Sequence, residues 1–236
     1  MKTAFAFLLP LLASATLLHA DYVIVQKLDG AGQSGEMTIK LKGGKARVDM
    51  APQISTITDN TSGDVVTLMH TQKQYMRIPA AQSKALMEQM QKLTGNVQAG
   101  TPAAEPKLVA TGKKEKVGEY NCEIYTWTAP GMSVNYWLAK DFPNFKTILA
   151  EMEKTQNASL ASMAKGMMPK SSDFPGMAMK TEVAVSGQKI TTTLVSVKEE
   201  NVDPAIFNLP EDYKEMAMPA FNLPAVPPAT PEPAAK

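Results

Sequence analysis

Gly30-Ala31-Gly32-Gln33-Ser34-Gly35 matches the spacing with which a glycine-rich loop approaches a dinucleotide pyrophosphate. That chemistry also needs a helix N-terminus directly after the loop. Met37 to Leu41 instead alternates apolar and polar residues as a strand does, so the match reads as a glycine-rich turn. His70 is the only histidine after His19. A zinc site needs three or four suitably spaced ligands, and no His-Cys cluster offers them. The spacings of serine hydrolases, phosphate-binding loops and zinc proteases do not occur. No catalytic residue, metal ligand or cofactor is assigned. Cys122, the single cysteine, excludes an intrachain disulfide. It shares a strand face with Tyr120 and Ile124 and reads as a small buried hydrophobe.

Two further groups bear on binding. The chain has sixteen methionines, with Met163, Met167, Met168, Met177 and Met179 close together and Met216 and Met218 near the C-terminus. Thioethers suit a soft ion such as Cu(I), line adaptable apolar grooves, or simply fill a core. The second group is basic. A hairpin turning at Gly43-Gly44 sets Lys40 opposite Arg47 and Lys42 opposite Lys45. Opposed like charges destabilise a sheet slightly, which points either to an anionic headgroup as partner or to solvated side chains.

The elements that must position these residues mostly read with period two. Met37, Ile39 and Leu41 pair across the hairpin with Met50, Val48 and Ala46, giving one apolar and one polar face. Similar segments at 22–28, 53–58, 64–70, 73–78, 119–128, 132–139, 181–186 and 189–198 bring the total to nine or ten strands. Short turns join them, which implies an antiparallel sheet. Helical spacing appears at 83–93, with Leu86, Met90 and Leu93, and at 144–165, with Phe145, Ile148, Leu149, Met152, Leu160 and Met163.

The flanks differ in character. Lys2, the apolar run Ala4 to Leu12 and the small residues before Ala15 or Ala20 read as a signal peptide over residues 1–20. This predicts a periplasmic or secreted protein. No cysteine follows either cleavage point to carry a lipid, and no segment is apolar enough to cross a membrane. About 216 residues would remain, enough for one domain over 21–216. Residues 94–107 read as an internal linker, and 217–236, with six prolines from Pro219 onward, as a disordered tail. The balance of charge, 24 basic against 23 acidic side chains, gives no steering toward nucleic acid.

Thr111-Gly112-Lys113-Lys114-Glu115-Lys116-Val117-Gly118-Glu119-Tyr120-Asn121-Cys122-Glu123-Ile124-Tyr125 and Tyr136-Trp137-Leu138-Ala139-Lys140-Asp141 resemble a bacterial exported family catalogued as domain of unknown function 4412. Gly44 to Asp49, Tyr75 to Ile78 and Phe207 to Tyr213 are similar to other segments of that family. Its layout is similar to the periplasmic lipoprotein carriers LolA and LolB. The resemblance implies an unclosed, strongly curved antiparallel half-barrel (α+β, mainly β) lidded by helices, with a hydrophobic ligand and no catalytic residues.

The function expected is therefore non-catalytic binding or carriage of a lipid, or of lipoprotein acyl chains, in an apolar cavity between sheet and helices. Ile148, Leu149, Met152 and Met163 are the expected lining. Trp127 and Trp137 are weaker candidates, because both are placed opposite a face carrying Ile124 and Val134. A structural or interaction protein with a closed core is the alternative, and Cu(I) handling a third.

Overall fold

The computed structural model describes residues 20–30, 32–85, 106–129, 132–155, 169–185 and 187–216. The expected signal segment up to residue 19, most of the expected linker, residues 86–93 and 156–165 of the two expected helices, Met163 and residues 217–236 lie outside the described residues.

Alternation and turn chemistry build the first half. β1 (Tyr22–Gly30), β2 (Gln33–Lys42), β3 (Lys45–Met50), β4 (Ile54–Asp59), β5 (Val65–Met69) and β6 (Gln74–Ile78) form an antiparallel meander. Gly43 and Gly44 both take positive φ, 55° and 79°, in the two-residue turn that matches strand twist. The hairpin register is the expected one: Met37 opposes Met50, Ile39 opposes Val48 and Leu41 opposes Ala46.

The second half is another meander. It comprises β7 (Val109–Val117), β8 (Tyr120–Ala129), β9 (Met132–Ala139), β10 (Met177–Val185) and β11 (Gln188–Glu199). β11 pairs with β1, and β12 (Lys214–Glu215) adds a parallel strand beside β6. The result is one twelve-stranded sheet in the order β12-β6-β5-β4-β3-β2-β1-β11-β10-β9-β8-β7. Its two ends, β12 and β7, do not pair, so the curved half-barrel stays unclosed. Among the described residues two α-helices accompany it: α1, whose described part covers residues 80–85, and α2 (Phe145–Lys154).

Twelve strands exceed the expected count because β7 and β12 carry little alternation. Thr111 to Lys116 is polar throughout, and β7 is exposed along nearly its whole length. As an edge strand it needs no apolar face, and its lysines discourage pairing with another chain.

Three clusters of buried side chains hold the sheet. The largest joins Tyr22, Ile24, Leu41, Ala46, Cys122, Trp137, Met177 and Leu194 to Ile148 of α2. The second sets Val202 and Phe207, from the segment after β11, on Ile57, Val66 and Leu68. The third joins Trp127, Val134, Tyr136 and Leu138. Ile148 is 3% exposed, and Phe145, Leu149 and Met152 flank it on the same stripe, so α2 forms by burying one face.

The polar face of the first hairpin departs from expectation. It is covered by the segment after β11, where Asp203 accepts a hydrogen bond from the Ala205 amide and starts a 3₁₀ turn at Pro204–Phe207. The Arg47 guanidinium donates to the Ile206 carbonyl at 2.8 Å. Lys40 pairs with Asp49 at 2.9 Å, Lys45 with Asp59 at 3.1 Å, Arg47 with Asp49 at 2.7 Å, and Lys42 with Asp21. The like charges are therefore balanced by the chain's own carboxylates, and the anionic headgroup drawn from Lys40, Lys42, Lys45 and Arg47 falls away.

Candidate ligand-binding site

A cleft forms where the sheet parts. The ladder between β10 and β11 ends at Lys180 opposite Thr193, whereas β11 continues along β1 to Glu199 opposite Tyr22. Residues 194–199 thus have β1 on one side and no β10 partner on the other. A bulge in β11 at Val195, which is 58% exposed, and another in β10 at Met179 turn the two strands apart.

The gap holds a cleft of about 640 Å³, within the roughly 300–1,000 Å³ range of small-molecule sites. Its apolar wall includes Tyr22, Tyr120, Phe142, Ile148, Met179 and Leu194. The Tyr120 and Phe142 rings lie 5.1 Å apart and tilted by 37°. Tyr120 follows the Val117-Gly118-Glu119 turn, where Gly118 has φ 58°, and Asn144 opens α2 with φ 55°. Burial raises the Tyr22 phenol pKa, and the charges of Glu199 and Glu151 raise it further.

The site residues expected from sequence distribute unevenly. Ile148 lines this cleft. Leu149 and Met152 pack beside the main core, and Leu149 also lines a shallower hollow of about 260 Å³ with Phe145 and Phe174. Trp127 and Trp137 border neither space. Their faces also need correction, because Trp137 opposes Ile124 and Trp127 opposes Val134, so Ile124 and Val134 lie on opposite sides of the sheet. A single strand's alternation cannot reveal this; the β8–β9 register decides it. The Trp137 indole donates to Glu115 at 2.8 Å, and Lys180 sits 4.0 Å above its ring. Trp127 is core. Met177 and Met179, from the methionine group, are both buried in the main core.

Sequence reasoning missed the cleft's aromatic wall, Tyr22, Tyr120 and Phe142. Tyr120 and Phe142 flank turns, where the period-two pattern stops, so only their size marked them. A second apolar surface runs across the meander. Met37, Met50, Ile54 and Met69 oppose one another in successive strands, with Met50 43% and Ile54 42% exposed.

One polar constellation resembles catalytic machinery. The Ser55 hydroxyl donates to Asp49 at 2.6 Å and lies 3.0 Å from an Arg47 donor and 2.7 Å from His70 Nε2. His70 Nδ1 meets the Tyr213 hydroxyl at 2.7 Å. The single Ser55 proton goes to Asp49, so His70 Nε2 is the donor to Ser55 and Nδ1 accepts from Tyr213. A serine nucleophile needs the reverse, a histidine that accepts its proton. Ser55 is also 1% exposed. The group fastens Tyr213 to the sheet. Hydrogen bonds dominate its charge: burial opposes ionisation of Asp49, but Ser55, Arg47 and Lys40 outweigh it and lower its pKa to about 2.

Among the described residues no group of three or more His, Cys, Asp or Glu side chains could hold a metal ion, and no helix is long and apolar enough to cross a membrane.

The family model described as Domain of unknown function (DUF4412) matches residues 23–213, and the chain belongs to that family. No curated protein matches the chain. Solved structures with a similar outline include PNGF-II, at 11% identity and a TM-score of 0.39, covering 84% of this chain and 31% of that one. The chain thus spans about a third of the PNGF-II chain. The lipoprotein LppX of Mycobacterium tuberculosis aligns at 11% identity and a TM-score of 0.41, covering 78% of this chain and 89% of that one. A DUF1329 family protein from Desulfovibrio piger aligns at 10% identity and 0.33, covering 80% and 90%. These are loose likenesses of form.

Proposed function

We propose that this DUF4412 protein is an exported, non-catalytic binding protein that takes an apolar ligand, such as a lipid chain, into the cleft between β11, the β7–β8 turn and α2. The observation that carries the reading is the cleft itself: about 640 Å³ of space walled by Tyr22, Tyr120, Phe142, Ile148, Met179 and Leu194, where the sheet lacks a strand pairing. A core that needed only to be stable would close such a gap, since interiors pack to crystal-like density. The half-exposed row of Met37, Met50, Ile54 and Met69 adds apolar surface beyond the cleft. Affinity needs no polar site here. Ten buried methylenes contribute about 8 kcal/mol before the costs of association. Export rests on the residues 1–20 pattern.

Native mass spectrometry of the full chain, expressed with its leader and purified from the periplasm, tests the reading. A co-purifying lipid mass, lost on delipidation and regained on adding lipid extract, is the expected result. Protein that is clean on purification and binds no alkyl-chain probe would leave the cleft as an empty surface feature.

A further inference from the structure

The cleft has one apolar wall, polar residues such as Asn144, Thr193 and Ser196 beside it, and acidic residues at its mouth. Glu119, in the turn between β7 and β8, and Glu199, at the end of β11, both border it. Neither side-chain carboxylate has an ion-pair or hydrogen-bond partner among the described residues, whereas those of Asp49, Asp59, Glu115 and Glu123 are paired. Glu199 opposes Tyr22, and cross-strand partners share a side of the sheet. Its carboxylate therefore leaves on the side of the buried Tyr22 ring. Lys198, the one basic residue at the border, opposes Val23 and leaves on the other side. Glu151 of α2 is taken up by Lys154 at 2.7 Å.

We infer that the cleft selects amphiphiles with a cationic head, such as a quaternary ammonium or amine, over those with an anionic head. The inference rests on reading the cleft as a ligand site. Two carboxylates without a partner among the described residues attract a cation, and the partly exposed rings of Tyr120 and Phe142 hold it by their quadrupoles, while the alkyl chain meets the wall of Ile148, Met179 and Leu194. The raised Tyr22 phenol pKa reports the same negative field: burial is its main cause, with Glu199 and Glu151 adding to it.

The test compares three dodecyl compounds by calorimetry on the full chain, below their micelle concentrations. They are dodecyltrimethylammonium, dodecanoate and neutral dodecyl maltoside. The trimethylammonium compound should bind about five- to tenfold more tightly than dodecanoate at low salt, the modest gain that exposed rim charges give. Half-molar salt, or the double variant Glu119→Gln with Glu199→Gln, should shrink that ratio toward one. Both glutamates are exposed, and circular dichroism would verify that the variant folds. Equal or tighter binding of dodecanoate, or a ratio unchanged in the double variant, overturns the head-group inference and leaves the apolar-ligand reading standing. If none of the three binds, both fall.

Discussion

Ser55 shows how much one hydroxyl can organise. It lies between Asp49, Arg47 and His70, and through His70 reaches Tyr213 in the segment that leads to β12. Ser55→Ala leaves Asp49 and His70 each short of a buried partner, which costs about 1–3 kcal/mol. Urea unfolding should show this as a lower midpoint with an unchanged slope. Asp49 adds a pH dependence of known sign. Its carboxyl titrates near 2 when folded and near 3.8 otherwise. Its contribution is therefore complete above pH about 4 and disappears as pH falls toward 2. Asp49→Asn should lower stability at neutral pH and flatten this part of the acid limb. An equally steep loss in the variant, measured from pH 5 to 2, would assign it to other carboxylates. None of this was legible beforehand. Asp49, Ser55 and His70 lie far enough apart in sequence that only the β3–β4–β5 register unites them.

At the scale of elements, glycine and alternation decide the outcome. Gly30, with φ 128°, closes β1 so near β11 that a Cβ would lie 2.2 Å from the Lys189 carbonyl oxygen. Gly30→Ala should cost at least 1–3 kcal/mol through strain and a displaced β11. Gly35→Ala, with open space around it and no positive φ, should leave the thermal midpoint nearly unchanged. The segment after β11 is a second test. Phe207→Ala should cost about 3–5 kcal/mol, because Phe207 covers Ile57, Val66 and Leu68. Most strands were legible because Leu41/Ala46 and Ile39/Val48 alternate cleanly and a Gly-Gly turn fixes their register. The covering segment was not. Val202, Ile206, Phe207 and Leu209 follow neither period two nor 3.6, and their function is to lie across a face that looks wet when only Lys40, Arg47 and Asp49 are considered.

The whole molecule is an unclosed sheet whose cleft arises from topology, not from any motif. Ile148 could be expected to face an interior, since the helical stripe announces it. The place where β10 and β11 diverge could not, because bulges at Met179 and Val195 have no signature in the sequence. Occupancy should be visible in global stability: a ligand at a hundred times its dissociation constant adds about 2.7 kcal/mol. A thermal midpoint that rises with dodecyltrimethylammonium below micelle concentration, and rises less in the Glu119/Glu199 double variant, would tie the cleft to the folded state.

β1 has two neighbours of very different origin. β2 follows it at once, whereas β11 begins only at Gln188. While the chain is being made, the first meander can assemble early, yet β1, at its edge, must wait with one margin bare until most of the protein has been synthesised. Such late, long-range pairing slows folding and leaves a template for wrong partners in the meantime. A chaperone that shields that margin should raise the yield of native protein more than it raises the stability of the finished molecule.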